Sequence, residues 1–460
     1  MSPLLRPAER VLPTLNQDGS RRLIRPRTYF GRYYWRRLVT AWSLIVLFCG
    51  LPFLRIGGKP AVLLDIPARQ FTFFGRTFLA TDGALLMLLM LSIFVGIFLI
   101  TAVLGRAWCG WACPQTVYME FLFRPLEHLI EGGRAGVLKR DRKKFSGRRT
   151  LKNIVFGLLA LALGNVLLSY FVGTDTLALW MVRSPLAHPT SFMVMGVTAG
   201  LVLFDFAFFR EQMCTVLCPY ARLQSALLDK NSLVVGYDRK RGEVRRKRAL
   251  RKGVPEGDCV DCGACQIACP TGIDIRDGLQ LECIACAQCV DACDTIMARQ
   301  GKPIGLIRYA SQNELVGQPR KLWRPRTLIY PAVLTVLLAG LLLSVRGQAA
   351  VDLTVLRGIG DPFVVDQDGI RNQLRIRVRN RSDEEQSCTV SLTQPDLTLI
   401  APQNPFRVEP EALVTTPAFV VAPVHSLPGG ELPITVRVQC GELERSQPYK
   451  LLGPKVESKR

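Results

Sequence analysis

The chain has 460 residues, 15 cysteines and a formal net charge of +22, and 49% of its residues are hydrophobic. A charge of this size would suggest nucleic-acid binding in a soluble protein, but the hydrophobic fraction indicates a membrane protein and argues against that function. All three histidines lie outside the apolar stretches. A membrane b-type haem is therefore not expected, because its iron needs histidine ligands from the spans.

Residues 1–37 are polar and basic, and they carry a group of aromatic side chains at 29–35. This composition predicts a mostly disordered cytoplasmic arm that ends at the membrane interface, where tyrosine and tryptophan are favoured. No signal peptide is expected, because the first apolar run begins too late and lacks a small-residue cleavage site.

Five apolar stretches are long enough to cross a bilayer as helices. Four of them lie within 38–209. The first contains Cys49, interpreted as a core residue, and Pro52, which indicates a kink or an early stop. The approximate bounds of the five are 38–54, 84–104, 153–172, 190–209 and 327–345.

The connecting segments 105–150 and 210–326 are rich in lysine and arginine, whereas 55–83 and 173–189 carry few. Because basic loops stay on the cytoplasmic side, this pattern predicts a multi-pass inner-membrane protein with its N-terminus in the cytoplasm and its C-terminal tail in the periplasm. The basic run at 239–252 is interpreted as a contact with anionic lipid headgroups, in preference to nucleic acid.

Two C-x3-C-P pairs follow the second and fourth apolar stretches: Cys109 with Cys113, and Cys214 with Cys218. Cysteines at i and i+4 share one face of a helix, and the proline that follows suits a helix start or a break. Because both stretches end on the same side, the two pairs are expected at one membrane depth. Four thiolates there could bind Cu(I) or zinc. Packing of small buried residues and a redox disulfide are the open alternatives.

Asp205 lies within the otherwise apolar fourth stretch. An acid at membrane depth is a candidate functional residue, and an ion pair with Arg210 or with a neighbouring helix is the equal alternative. Sulfur and imidazole side chains also gather near the predicted outer face, where packing is favoured over copper binding. They are Met181, His188, Met193 and Met195.

An iron–sulfur domain is predicted at about 255–300, where C-x2-C-x2-C-x3-C occurs twice. This is the ligand pattern of a bacterial ferredoxin with two [4Fe–4S] clusters, in which the fourth cysteine of each copy binds the other cluster. Zinc knuckles are the alternative, but zinc needs two cysteine pairs, and evenly spaced triplets suit it poorly. The predicted ligand sets are Cys259, Cys262, Cys265 and Cys293 for one cluster, and Cys269, Cys283, Cys286 and Cys289 for the other.

Residues 350–460 contain many prolines and short runs in which β-branched and charged residues alternate. Such runs, separated by turns, predict a small β-sandwich. Cys388 and Cys440 lie on the apolar sides of their runs. In an oxidising periplasm they could form a disulfide across the core, or they could stay free thiols, because the sequence does not show which strands are partners.

Four stretches make the chain resemble the CcoG/FixG/Rdx family of membrane polyferredoxins. They are DGSRRLIRPR at 18–27, the segments 105–132 and 211–229 around the C-x3-C-P pairs, and the double cysteine motif at 258–294. The resemblance implies five transmembrane helices, an inserted cytoplasmic 2[4Fe–4S] ferredoxin domain and a periplasmic immunoglobulin-like domain.

The resemblance also implies a function. Proteins of this family are understood to reduce Cu(II) to Cu(I) during assembly of cbb3-type cytochrome oxidase. The clusters would supply electrons, and the expected partners are oxidase assembly factors, copper chaperones, an unidentified electron donor and membrane lipids. The residues implied to be catalytic and to bind copper are Cys109, Cys113, Cys214 and Cys218.

Two other functions stay open. The C-G-W-x-C-P motif also occurs in quinol-oxidising membrane ferredoxins, so the chain could carry electrons from quinol to another complex, with a quinone pocket near Asp205. A non-enzymatic scaffold for oxidase subunits, with purely structural clusters, is the third possibility. The C-terminal sandwich favours the oxidase-assembly function.

Overall fold

The computed structural model describes residues 10–12, 14–16, 22–67, 70–79, 83–141, 146–245, 250, 253–347, 350–366, 369–382, 384–410, 412–423, 426–427 and 429–454. Residues 17–21 of the N-terminal stretch and part of the basic run at 239–252 lie outside these ranges. The chain forms two compact units, Met1–Leu341 and Leu342–Arg460.

Five helices of the described residues are long and apolar enough to cross a membrane, by length and composition. Each coincides with one apolar stretch of the sequence. The first begins earlier than its stretch, and it ends in a 3-10 turn, Leu51–Phe53, that contains Pro52. The helices are α1 (Arg32–Gly50), α2 (Gly83–Leu104), α3 (Gly147–Val172), α4 (Pro189–Leu203) and α5 (Pro325–Arg346).

Shorter helical segments connect the long helices. Three of them, Met119–Phe123, Phe204–Phe209 and Met213–Leu217, are π-helical, a rare conformation that is frequent at functional sites. Two further 3-10 turns are Pro185–Ala187 and Ile275–Asp277. The short α-helices are Ala107–Trp111, Pro114–Tyr118, Arg124–Glu131, Gly133–Asp141, Thr174–Met181, Pro219–Leu227, Arg239–Gly242, Ala264–Ala268, Gln288–Arg299 and Gln312–Leu315.

Small antiparallel sheets complete the first unit. The pair Val234–Tyr237 and Ile307–Ala310 flanks the iron–sulfur segment, and its buried residues form one core with several of the motif cysteines. The other sheets are Arg10–Leu12 with Leu15–Asn16, Arg55–Ile56 with Lys59–Pro60, and the three strands Val62–Asp65, Gln70–Phe73 and Arg76–Leu79.

The described residues of the N-terminal segment, 10–12, 14–16 and 22–31, are structured, so the prediction of a disordered arm is wrong for these residues. The backbone N–H of Arg27 donates to Ile267 O at 3.0 Å. The Asp291 carboxylate accepts the N–H groups of Tyr33 (3.1 Å) and Tyr34 (2.8 Å). These donors belong to the first turn of α1 and have no partner within the helix, so the carboxylate acts as a capping group from a distant segment.

The second unit is a sandwich of two antiparallel sheets. Its strands are β1 (Val351–Arg357), β2 (Val364–Asp366), β3 (Gly369–Asn380), β4 (Gln386–Leu392), β5 (Thr398–Ile400), β6 (Phe406–Val408), β7 (Leu413–Ala422), β8 (Glu431–Cys440) and β9 (Leu443–Leu452). One sheet has the strand order β1-β3-β7-β5 with β2 paired to β3, and the other has the order β6-β4-β8-β9. Leu374, Ile376 and Val378 are fully buried, as their alternation predicts.

Cys388 and Cys440 form a disulfide, but within one sheet rather than across the core. They face each other in register on the neighbouring strands β4 and β8, with their Cα atoms 4.1 Å apart. Both side chains are fully buried. The expected geometry was wrong because adjacent antiparallel strands can bring two inward-facing cysteines together without crossing the sandwich.

Candidate functional site

The eight cysteines of the double motif line two cavities. Each cavity takes three cysteines from one copy and the fourth from the other copy, which is the arrangement of a two-cluster ferredoxin. Their empty volumes are similar, about 370 and 340 Å³. The first cavity is lined by Cys259, Cys262, Cys265 and Cys293, and the second by Cys269, Cys283, Cys286 and Cys289, with Cys265 at its edge.

The surroundings of these sulfurs fit iron–sulfur clusters. Apolar side chains such as Met297 and Ile275 line the cavities. Burial raises the pKa of Cys265 and Cys293 to about 12 and that of Cys283 to about 11. As free thiols these groups are protonated at neutral pH, so ligand binding has to displace protons.

The backbone beside the second cysteine of each triplet repeats the same left-handed conformation. The φ angles are +58° at Asp261 and +71° at Gly263 in the first copy, and +54° at Ala285 and +59° at Ala287 in the second. Only one of the four residues is glycine, although this region disfavours side chains. Such alternation turns successive N–H groups into a concave surface that suits anions, including iron–sulfur centres. Sequence reasoning missed this repeated conformation, because alanine, which occupies both positions of the second copy, rarely adopts it.

Each C-x3-C-P pair breaks its helix at the second cysteine. Cys113 and Cys218 have extended backbones, with ψ of 127° and 108°, and Pro114 and Pro219 begin the next helices. The prediction of a helix start or break at the proline is confirmed. The pairs do not lie on one continuous helix, because a residue that precedes proline is pushed out of the helical region.

The structure brings the two pairs together. Burial raises the pKa of Cys214, and the sulfurs of Cys113, Cys109 and Cys218 raise it further. Burial also raises the pKa of Cys113, where the charge of Cys218 adds to the effect. Cys109, Cys113, Cys214 and Cys218 therefore form one group, called here the four-cysteine site.

In neither the four-cysteine site nor the double motif do the side chains converge on the position of a single metal ion. Among the described residues, no three cysteine, histidine or acidic side chains converge tightly enough to hold a metal ion. A [4Fe–4S] cluster does not need such convergence, because each of its four cysteines binds a different iron atom.

The four-cysteine site packs directly on the loop that supplies the second ligand set. Cys109 and Cys214 belong to one packed group with Ile284 and Cys286. A Cβ atom added to Gly110 would lie 2.5 Å from Ile284 O and 2.9 Å from the Cα of Cys286. Glycine is therefore required at position 110 for the two backbones to approach so closely.

A buried polar network holds the Cys109 side chain. Its Sγ donates to Oε1 of Gln224 at 3.0 Å, and Nε2 of Gln224 donates to Oγ1 of Thr101 (3.0 Å) and to the Tyr220 hydroxyl (2.9 Å). Gln224 is fully buried. Sequence reasoning missed Gln224, and only its i, i+4 spacing from Tyr220 on the helix after Pro219 could have indicated it.

The Asp205 side chain pairs with Gln115 and not with Arg210. Its Oδ1 accepts a hydrogen bond from Gln115 Nε2 at 3.2 Å, and the same nitrogen lies 3.0 Å from the backbone oxygen of Arg210. The Arg210 guanidinium instead binds both carboxylate oxygens of Glu127, at 3.0 and 2.9 Å. The bidentate carboxylate is the stronger partner for arginine. Asp205 is thus linked to the residue two positions after Cys113.

The methionine and histidine group lines a cavity at the far end of α4. Met181, His188 and Met195 line it, and the His188 ring stacks on Trp180 with centroids 4.2 Å apart. The packing interpretation is wrong for Met181 and Met193, which are 67% and 62% exposed. Met193 lies on α4, which protein covers over little of its surface, and Met181 ends the separate helix Thr174–Met181.

Three known domain families match the chain. A 4Fe-4S dicluster domain matches residues 209–312, a 4Fe-4S binding domain matches residues 86–143, and the IG-like fold at the C-terminal of FixG matches residues 341–454. The segment 86–143 includes Cys109 and Cys113.

Full-length relatives show the same likeness. The chain is 34% identical to the nitrogen fixation protein FixG of Rhizobium meliloti, over 81% of this chain and 79% of that protein. It is 37% identical to protein RdxA of Cereibacter sphaeroides, over 78% of this chain and 80% of RdxA. It is 36% identical to protein RdxB of the same organism, over 78% of this chain and 77% of RdxB.

Proposed function

Because this chain belongs to the CcoG/FixG/Rdx family of membrane-bound iron–sulfur electron-transfer proteins, we propose that it is a cupric reductase that reduces Cu(II) to Cu(I) for assembly of cbb3-type cytochrome oxidase. The observation that carries this proposal is the direct packing of the four-cysteine site on the loop around Cys286. Substrate bound there would lie next to the second ligand set.

The residues present suit a one-electron reduction of copper. When bound, the clusters supply single electrons, which a low-potential donor has to replace. One electron converts Cu(II) to Cu(I). Cu(II) prefers nitrogen and oxygen ligands, whereas Cu(I) prefers sulfur, so the four-cysteine site stabilises the product. Burial raises the pKa of Cys109, Cys113 and Cys214, so copper binding at these thiols releases protons. Gln224 fixes the orientation of Cys109.

The proposed topology places the iron–sulfur segment in the cytoplasm and the sandwich in the periplasm of a multi-pass inner-membrane protein. The basic segments 105–150 and 210–326 support the first placement. The disulfide between Cys388 and Cys440 supports the second, since disulfides persist in oxidising compartments. Copper chaperones and oxidase assembly factors are the proposed recipients of Cu(I), and membrane lipids surround the spans.

A third iron–sulfur cluster in the four-cysteine site is the second candidate. The 4Fe-4S binding family matches residues 86–143, a segment in which Cys109 and Cys113 are the cysteines. A cluster with four cysteine ligands would need two more sulfurs, and Cys214 and Cys218 of the same four-cysteine site would supply them. This candidate differs from copper binding in the iron content that it predicts.

One experiment separates these functions. The protein is purified anaerobically, its iron is counted, its clusters are reduced, and Cu(II) is added while EPR follows the Cu(II) signal and the clusters together. The test variant replaces Cys109, Cys113, Cys214 and Cys218 with serine. The control is Cys49→Ser, which removes a partly buried thiol of α1.

The cupric reductase proposal expects about eight iron atoms in both proteins, loss of Cu(II) in step with cluster oxidation, and loss of this reaction in the serine variant alone. About twelve iron atoms that fall to about eight in the variant would establish the third cluster. Reduced clusters that ignore Cu(II) but are oxidised by a quinone would favour a quinol-linked carrier. Redox-inactive clusters whose removal only unfolds the chain would favour a scaffold.

A further inference from the structure

A buried arginine of α1 lies against the second ligand set. Arg37 is 1% exposed, and its Nε donates to the backbone oxygen of Gly110 at 2.9 Å. Its Nη1 and Nη2 atoms have no hydrogen-bond partner among the residues that the structure describes. Gly110 itself packs against the second ligand set, where an added Cβ atom would lie 2.9 Å from the Cα of Cys286. The Arg37 side chain is therefore anchored beside that set.

A second buried arginine, Arg106, lies near Cys283 of the same ligand set. It is 3% exposed, and its Nη1 donates to the backbone oxygen of Leu281. Its Nε and Nη2 atoms have no oxygen acceptor within the described part of the chain. Leu281 precedes the ligand Cys283 by two residues. The backbone N–H of Cys109 donates to the backbone oxygen of Arg106 at 3.1 Å. Arg106 therefore lies between the second ligand set and the four-cysteine site.

The arginine of the first ligand set, in contrast, is paired with acids. Arg276 binds the carboxylates of Asp274 (2.6 Å) and Asp261. Two carboxylates thus compensate the charge of this guanidinium. The arginine near the first set therefore has anionic partners, whereas Arg37 and Arg106 near the second set have side-chain nitrogens without a hydrogen-bond partner among the described residues.

Two buried arginines with unused donors indicate an anionic partner, because a buried charge without one is strongly unfavourable. A cluster bound by four thiolates is such an anion. We propose that Arg37 and Arg106 hold the reduction potential of the cluster bound by Cys269, Cys283, Cys286 and Cys289 above that of the other cluster. Net charge, hydrogen bonds to sulfur and burial set cluster potentials, and positive charge favours the more negative, reduced state.

This difference in potential gives electron flow a direction. Electrons enter at the first set, where Cys262 is exposed, and pass to the second set, which contacts the four-cysteine site. Arg37 and Arg106 are positioning residues in this scheme. The inference extends the proposed function but depends only on cluster binding, so it holds whether or not copper is the acceptor.

An EPR-monitored redox titration of the full-length protein tests the proposal. The variants are Arg37→Gln, Arg106→Gln and the charge-conserving Arg37→Lys. The matched control is Arg245→Gln, which removes a cation that is paired with Glu243 and lies beside Arg276 of the first set. A Cys286→Ser variant identifies which signal belongs to the second set.

The unchanged protein is expected to show two midpoint potentials, with the higher one altered by Cys286→Ser. Each glutamine variant is expected to make that cluster about tenfold or more harder to reduce, which is about 59 mV for one electron, and to leave the lower potential in place. Arg37→Lys is expected to retain most of the higher potential, and Arg245→Gln to leave it unchanged.

Equal potentials in the unchanged protein would overturn the proposal. So would glutamine variants with unaltered potentials, or variants in which both clusters shift together. Iron content is measured for every variant. If Arg37→Gln loses iron, the result for Arg106→Gln decides.

Discussion

At the scale of single residues, Gly110 determines how closely the two cysteine sites approach. Gly110→Ala would place a methyl carbon 2.5 Å from the backbone oxygen of Ile284. Neither atom is the end of a flexible side chain, so the backbone itself would have to shift. We expect a loss of about 1–3 kcal/mol in stability, typical of overpacking. Because the sites would be pushed apart, we also expect slower oxidation of reduced clusters by Cu(II). Thermal unfolding and stopped-flow absorbance measure the two effects.

The matched control is Gly157→Ala in α3, where a Cβ atom would meet nothing within 4 Å. Alanine is a better helix former than glycine, so this variant is expected to gain up to about 1 kcal/mol. Equal rates of cluster oxidation in the two alanine variants would show that the approach at Gly110 has no role in electron transfer.

The sequence identified residues that belong to a spacing pattern and missed those that do not. The cysteines of both motifs stood out because metal-ligand spacing is rare by chance. Gln224, Arg37 and Arg106 belong to no such spacing pattern. A single polar residue gives the same sequence signal whether its side chain faces water or is buried beside a sulfur atom. Their importance comes from burial, which depends on segments far away in the chain.

At the scale of elements, a buried carboxylate fastens three segments together. Glu127 is 1% exposed and accepts hydrogen bonds from Arg210 after α4, Arg25 of the N-terminal segment and Lys152 of α3. Burial would raise the pKa of Glu127, but Arg210 and the other two cations hold it well below its usual range. We expect Glu127→Gln to destabilise the fold by about 3–5 kcal/mol, because buried Arg210 would lose its bidentate carboxylate and keep only the 3.7 Å contact with Glu211.

The pH dependence of Glu127→Gln follows from the lowered carboxyl pKa. Such a group contributes its full stability above the pKa of the unfolded state, about 4.3, and loses it as pH falls toward the folded value. The difference between the parent and variant unfolding temperatures is therefore expected to be constant near neutral pH and to shrink only below about pH 4.

The control for Glu127→Gln is Glu431→Gln, which breaks an exposed pair with Lys450 and should change stability by about 0–1 kcal/mol. A similar loss in both variants would rule out the network.

The disulfide between β4 and β8 closes a long loop. The two cysteines are 52 residues apart, and the chain-entropy relation gives about 4 kcal/mol for a loop of this length. We expect the Cys388→Ser and Cys440→Ser double variant to lose most of this stability. Faster amide hydrogen exchange in β4 and β8 of the full-length protein measures the loss. Unchanged exchange would contradict the expectation.

Elements defined by local composition were predictable, and those defined by distant contacts were not. Spans of apolar residues indicated α1 to α5, and alternation indicated the strands of the sandwich. The order of residues 22–31 depends on Ile267 and Asp291, which are more than 200 residues away. A basic composition therefore suggested a disordered arm where the protein has a docked segment.

At the scale of the whole molecule, the proposed topology predicts different protease sensitivity on the two sides of the membrane. Protease added to intact spheroplasts is expected to remove the sandwich at 350–460 and to leave the iron–sulfur segment intact. Inverted membrane vesicles should show the reverse. Digestion of both units in spheroplasts, with the membrane still sealed, would contradict the topology.

The capping of α1 by Asp291 also determines when, during synthesis of the chain, the N-terminal segment can dock. The carboxylate binds the N–H of Tyr34 across 257 residues of chain. When a ribosome has just finished α1, this partner does not yet exist, and it is made only after α2, α3 and α4. Cys293 is synthesised within two residues of it. Docking of the N-terminal segment is thus a late event in biogenesis, and it coincides with the moment at which the cysteine ligands become complete.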